Sequence, residues 1–238
     1  MIKPFTGLRA RLKRFRRSAF EAAGSARYSL PGLYEIDRRL DQLMDLDGGC
    51  FIEAGANDGF SQSNTYYLER FRGWSGLLVE PIPELAAECR RNRRTPVVEV
   101  ALVADQSATP TVPIHCAGLM STVAGALGSE EVTRRHIETG LSVQGLRTTR
   151  AIDVPARTLS SLIIEHGLKQ DIDLLSLDVE GAEPVALRGL DLSQHCPRWI
   201  CVEARDPAEI GRILDRTHRL VDVLTDLGTH WDLLYGRR

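Results

Sequence analysis

Residues 51–60 read FIEAGANDGF and residues 173–183 read DLLSLDVEGAE. Each is a short apolar run that stops abruptly in acidic residues and glycine. A packed core does not require two strands to end that way. Strands that hold a polar ligand at their carboxyl ends do. Working outward from Cys50, apolar runs alternate with helical patterns. CFIEAG reads as the first strand and NTYYLERF as a helix. SGLLVEP is a strand, PELAAECRRN a helix entered through proline, and VVEVALVA a third strand. TVPIHC reads as a short strand, and GSEEVTRRHIETG is the one helical stretch between Ala117 and Thr149. RTLSSLIIEHGL is a helix capped by Thr158, followed by the strand IDLLSLDVE and a helix around PVALRGL. RWICVEA, PAEIGRILDRT, HRLVDVLTD and HWDLLYGR complete the chain as strand, helix and two closing strands. Strand and helix in repeated alternation predict an α/β fold, with a mostly parallel sheet covered on both faces and an antiparallel hairpin at its end.

The composition agrees. The chain has 238 residues, 43% hydrophobic and 26% charged, with a net charge of -2. That suits one large globular domain with a core of its own. A near-neutral chain with only 6% aromatic residues lacks the basic, aromatic-rich face of a nucleic-acid binder. The five cysteines form no CxxC pair, and Cys50, Cys116 and Cys201 sit in strand-like runs. They read as small buried hydrophobes of a reducing compartment. No apolar run approaches the roughly 20 residues of a membrane span, and the N-terminus lacks a secretory signal's apolar core. The cytoplasm is the expected location.

The first thirty residues stand apart. Lys3, Arg9, Arg11, Lys13, Arg14, Arg16, Arg17 and Arg27 are opposed by Glu21 alone, a local charge of +7. Leu8, Leu12, Phe15 and Phe20 are interspersed among them. This basic arm (1–30) is expected either to be a solvated extension or to form an amphipathic helix against an anionic surface, the periphery of a membrane included. The domain proper is then 31–238. It opens with the helical pattern LYEIDRRLDQLMDL, which Gly48-Gly49 ends.

The glycine turn after the first strand contains Glu53, Gly55, Asn57, Asp58 and Gly59. It is acidic and lacks the full GxGxxG pattern, so it suits a ligand with a positive group better than a pyrophosphate. Gly55 is expected to let a ligand approach the backbone closely. Glu80, followed by Pro81, ends the second strand 21 positions after Gly59. A carboxylate there can accept both hydroxyls of a ribose. Ala101, small and apolar near the end of the third strand, offers a flat wall to an adenine. Asp178, Glu180 and Glu183 surround Gly181 after the fourth strand, a density of carboxylates expected to face a ligand.

FIEAGANDG, LLVEP and above all DLLSLDVEGAEPVALRGL resemble the FkbM-type methyltransferases, over roughly Gly49 to Ala204. The resemblance implies the class I methyltransferase Rossmann-like fold, with a seven-stranded sheet. It implies an S-adenosylmethionine-dependent O-methyltransferase acting on a hydroxyl of a small molecule, a sugar or a glycosylated natural product or glycolipid. On that footing Glu53, Gly55, Asn57 and Gly59, with Asp58, line the methionine part of the cofactor. Glu80 and Pro81 hold the ribose, and Ala101 lies by the adenine. Asp178 and Glu180 face the methyl-transfer site. The weakly matching segment 117–149 is expected to set substrate choice.

An alcohol needs its proton removed to become a good nucleophile, by a carboxylate or histidine in reach or through a metal that lowers its pKa. Asp178 is the first choice of base, and His136 in the substrate segment or His115 beside it are alternatives. If Mg²⁺ takes part, Asp178 and Glu203, joined by Glu180, are the expected ligands. The competing readings are an NAD-binding oxidoreductase and a cofactor fold without turnover. Oligomeric state is left open by the sequence.

Overall fold

The computed structural model describes residues 8–238 apart from 109, 144, 146, 147, 169 and 170. In chain order its elements are α1 (Leu8–Ala22), α2 (Ile36–Met44), β1 (Cys50–Ala54), α3 (Tyr66–Phe71), β2 (Ser75–Val79), α4 (Pro83–Asn92), β3 (Val97–Val98) and β4 (Ala101–Leu102). β5 (Thr111–Cys116), β6 (Thr122–Val123), α5 (Glu130–Val143) and β7 (Arg150–Arg157) form the middle of the chain. Then come α6 (Leu159–Glu165), β8 (Leu174–Leu177), α7 (Glu183–Arg188), β9 (Trp199–Ala204), α8 (Pro207–Leu214), β10 (His218–Asp226) and β11 (Trp231–Arg237).

Seven strands form one sheet in the order β10-β11-β9-β8-β1-β2-β3. All are parallel except β11, which runs antiparallel to both its neighbours. The centre of the sheet is where the sequence is most continuously apolar. Every residue of β1 is buried, as is every residue of β8, because helices cover both faces. Alternate side chains serve opposite cores. Ile52 and Ala54 pack with Leu162 and Ile163 of α6, Leu187 of α7 and Ile210 of α8. Phe51 packs the other way, with Ile36 and Leu40 of α2, Leu68 of α3 and Leu78. Local signals set the helix starts. Proline opens α4 and α8, where a missing N–H costs nothing. Thr158 Oγ1 accepts from Ser161 N at 3.1 Å at the start of α6.

The strand order reverses at β1, where β2 and β3 lie to one side and β8 and β9 to the other. That is the crevice in which a ligand is expected. A second sheet, in the order β4-β7-β5-β6, stands beside it around its own small core of Ala101, Val112, Ile114 and Val154.

Two expectations need correction. VVEVALVA is not one strand: Val97–Val98 pairs with β2, and after Glu99-Val100 the chain crosses so that Ala101–Leu102 pairs with β7 in the second sheet. RAIDVPAR, unread as a strand, is β7. Only Val154 and Ala156 of it are fully buried, so its charged residues mask the alternation. As for the arm, α1 forms, and one side of it is docked on the domain. Arg17 is buried, with its guanidinium carbon 3.6 Å from the centre of the Phe60 ring. Among the described residues no helix is long and apolar enough to cross a membrane.

Candidate active site

A cleft opens at the carboxyl ends of β1, β2 and β8. Of the residues singled out in the sequence, Glu53, Gly55, Asn57, Glu80, Pro81, Ala101, Asp178 and Glu180 line it. Asp58, Gly59, His136 and Glu203 do not. Val100, Leu102, Ile82, Leu85 and Ile114 extend the apolar wall around Ala101. Ser61, Gln62, Ser63 and Asn64 form a polar side that the sequence reading missed. The signal for them was the polar run SQSNT directly after the glycine turn.

Each carboxylate has a different job. Glu53 is already committed. Its two oxygens accept from Ser63 Oγ (3.0 and 2.9 Å), Asn64 N (2.8 Å), Thr65 Oγ1 (2.7 Å) and Arg93 (3.1 Å). Arg93, wholly buried, also bonds Glu69 at 3.0 Å. Asp58 is spent inside its own turn, accepting from Phe60 N at 2.8 Å and Ser61 N at 2.7 Å. Glu80 braces the turn from below, accepting from Asn57 N at 2.8 Å and Ile82 N at 2.9 Å. Each of its oxygens keeps a lone pair for a diol. Burial pushes its carboxyl up to about 7, against the pull of those two N–H groups.

Gly55, in the cleft wall, also carries a burden within the fold. At φ +84° a Cβ there would lie 1.7 Å from the carbonyl oxygen of Asp178. The glycine is needed for the turns after β1 and β8 to touch.

The turn after β8 is held from within. Glu183, buried, accepts from Val179 N at 2.8 Å and Gly181 N at 3.1 Å. It is therefore a brace for the turn and not a ligand-facing acid. Asp178 and Glu180, on the same turn, line the cleft. Asp178 Oδ1 is buried and has no hydrogen-bond partner. Burial, and then the charges of Glu203, Asp232 and Glu53, raise its carboxyl well above the usual range. Glu180 is raised by burial and by Asp178. Its backbone is left-handed, φ +54°, and its carbonyl accepts from Thr122 Oγ1 at 2.8 Å. A non-glycine residue held in that region by its surroundings is a mark of functional sites.

His136, on α5, meets this turn. Its Nε2 lies 3.3 Å from Glu180 Oε2, within ion-pair distance though not aligned for a hydrogen bond. Arg205, directly after β9, lies 3.2 Å from His136 Nδ1 and 3.4 Å from Glu180 Oε2. Burial and then Arg205 lower the imidazole's pKa. Nothing along the sequence singles out Arg205. His115, the other alternative base, is in β5 and is not among the cleft-lining residues.

The expected metal site is not formed. Among the described residues no three His, Cys, Asp or Glu side chains converge where they could hold a metal ion. Glu203 instead faces His230 at 3.8 Å, and burial followed by Glu183 pushes its carboxyl up to about 7. S-adenosylmethionine passes the corresponding test. Among the described residues no lysine or arginine lines the cleft, whereas Glu80, Asp178 and Glu180 do, beside Glu53, which Arg93 already neutralises. That set suits a sulfonium and an ammonium, and opposes a pyrophosphate.

The family model described as a methyltransferase FkbM domain matches residues 53–230. Among solved structures the chain is similar to a TehB-like SAM-dependent methyltransferase from Corynebacterium glutamicum. That match has 13% identity and a TM-score of 0.44, covering 96% of this chain and 97% of that one. It is also similar to a precorrin-6y C5,15-methyltransferase from Geobacter metallireducens (9% identity, TM-score 0.42, 86% and 88% covered). A third is the METTL16 MTase domain (11% identity, TM-score 0.45, 85% and 66% covered). None of the curated proteins compared with the chain matches it.

Proposed function

Because the chain belongs to the FkbM methyltransferase family, we propose that it transfers a methyl group from S-adenosylmethionine to a hydroxyl oxygen of a small molecule, a sugar or a glycosylated natural product. The observation that carries this reading is the cleft lined by Glu80, Asp178 and Glu180, carboxylates that no cation within the cleft wall neutralises, with no lysine or arginine among the described lining residues. The cofactor supplies a methyl group already activated on a sulfonium. The chain's own part is to seat it, to aim the acceptor and to remove a proton.

Glu80, with a free lone pair on each oxygen, would take the ribose hydroxyls. Ala101, Ile82 and Leu85 would cover the adenine. Asp178 is the proposed base. Its unpartnered oxygen is available to a hydroxyl proton, and a raised carboxyl pKa brings a base closer to the pH at which it works. Glu180 and His136 stand next in line to pass that proton on. Segment 117–149 would choose the acceptor. Three of its side chains reach the turn after β8: Thr122, His136, and Leu127, whose Cδ2 lies 2.4 Å from where a Cβ on Gly181 would be.

The test is calorimetric titration with S-adenosylhomocysteine and, for comparison, NAD. Micromolar binding of the first and none of the second is expected, followed by a radiolabelled-methyl screen of sugars. Binding of NAD alone would overturn the reading, and labelling of nitrogen or carbon instead of oxygen would replace the O-methyl assignment.

A further inference from the structure

Helix α1 is amphipathic in the reverse of the usual sense. The side facing the protein is ionic. Arg14 pairs with Glu88 at 3.3 Å, and Arg17 donates to Asn92 at 3.0 Å. Glu21 accepts from Tyr66 Oη at 2.8 Å and Arg70 at 2.7 Å. The side facing away is apolar. Leu12, Phe15 and Ala19 recur at spacings of three and four, which is one stripe of a helix. Leu12 is 56% exposed and Phe15 74% exposed. A helix that only covered its own domain would turn this stripe inward.

The stripe has a basic border. Arg11 and Arg16 flank it on either side, and both are exposed, as is Lys13. The charge separation extends to the whole chain. Residues 1–30 carry +7 out of a total of -2, so the remainder carries -9. An anionic surface therefore attracts this end of the molecule and repels the rest.

We infer that the outward face of α1 docks on an anionic lipid bilayer. Leu12 and Phe15 enter the boundary between headgroups and acyl chains, and Arg11 and Arg16 meet the lipid phosphates. A narrow stripe with one aromatic residue and a basic rim suits shallow, reversible, salt-sensitive binding better than a broad protein interface. The ionic inner face fixes the helix to the domain, so the surface is presented rigidly. Its anchor, Phe60 under Arg17, directly precedes Ser61 in the cleft wall. Docking would thus bring the cofactor turn close to the lipid.

The experiment is co-sedimentation of the full chain with vesicles of phosphatidylcholine mixed with phosphatidylserine, and with phosphatidylcholine alone. Binding to the mixed vesicles at low salt is expected, with loss at high salt and little binding to the neutral ones. Leu12→Ser with Phe15→Ser should weaken it by roughly tenfold or more. The thermal midpoint and S-adenosylhomocysteine affinity should not change, since neither side chain is packed in the domain. Absence of binding by the unaltered chain would overturn the inference, as would equal binding by the double variant. A concentration-dependent dimer without vesicle binding, abolished by the same variant, would assign the stripe to a second copy instead. Vesicle binding requires no methyl transfer, so this result stands apart from the proposed reaction.

Discussion

Two groups of carboxylates lie at and beside β1, and they are built on opposite principles. Around Arg93, Glu53 and Glu69 are neutralised and hydrogen-bonded on almost every lone pair. Burial works against the Glu69 carboxylate, but Arg93, Thr95 and the Arg94 N–H outweigh it, so its pKa falls. Around Asp178 and Glu180 burial and the charges of neighbouring acids act together, Arg205 is the nearby cation, and both carboxyls rise, as does that of Glu203 beside His230. Acids that the fold uses are satisfied within it, and acids left short of donors are held ready for something that arrives later. Glu80 and Glu183 lie between these extremes, since backbone N–H groups hold them without a cation.

The largest effect should come from breaking the satisfied group. Arg93→Met leaves two buried carboxylates without their cation and should cost ~3–5 kcal/mol of stability, read as a lower urea midpoint. An unchanged midpoint would show that the surrounding hydroxyls suffice. Asp178→Asn tests the other group. Turnover should fall by ~10²–10⁴-fold, with S-adenosylhomocysteine affinity within a few-fold and the fold no less stable, because a repelling charge is gone. Full activity would place the base elsewhere.

Glu80→Ala should weaken S-adenosylhomocysteine binding by ~1–3 kcal/mol. Unchanged affinity in calorimetry would remove the ribose assignment. The remaining effect is on pH dependence. The carboxyls of Glu80, Glu183 and Glu203 rise from 4.5 to about 7 on folding. The native state then binds more protons than the unfolded one in that window, so stability is highest at its acid end and declines as pH rises through 7. The ligand-free thermal midpoint should be higher at about pH 6 than at about pH 8. Glu183→Gln should flatten that slope. Glu69 works in the opposite sense, and its contribution is lost only as pH falls below the ordinary carboxylate range.

Much of the cleft was legible because strands announce themselves. FIEAG and LLSLDVE are short apolar runs that must stop in a turn, and the carboxylates at their ends had to stand at the carboxyl end of the sheet. What each acid does there was not legible. Glu53 and Glu80 both terminate buried strands, yet only Glu80 keeps free lone pairs, because Arg93, 40 residues from Glu53, folds back onto the first of them. Nothing distinguishes Arg93 from its neighbours in RRNRRTP except that it sits where α4 ends. Arg205 and the polar run SQSNT were missed for the same reason, as ordinary loop residues whose importance lies in what stands opposite.

The sequence by itself determined the alternation of strands and helices, the two glycine-and-acid turns and the concentration of positive charge in the first thirty residues. These depend on neighbours along the chain, where propensity and periodicity act. Tertiary structure alone decided which carboxylates are satisfied and which are not. It also decided that Gly55 makes room for the Asp178 backbone, that His136 meets Glu180 across 44 residues of sequence, and that α1 turns its charges inward and its apolar stripe out. Each of those depends on groups distant in sequence being brought within a few ångströms, where burial and pairing set the energy of a charge.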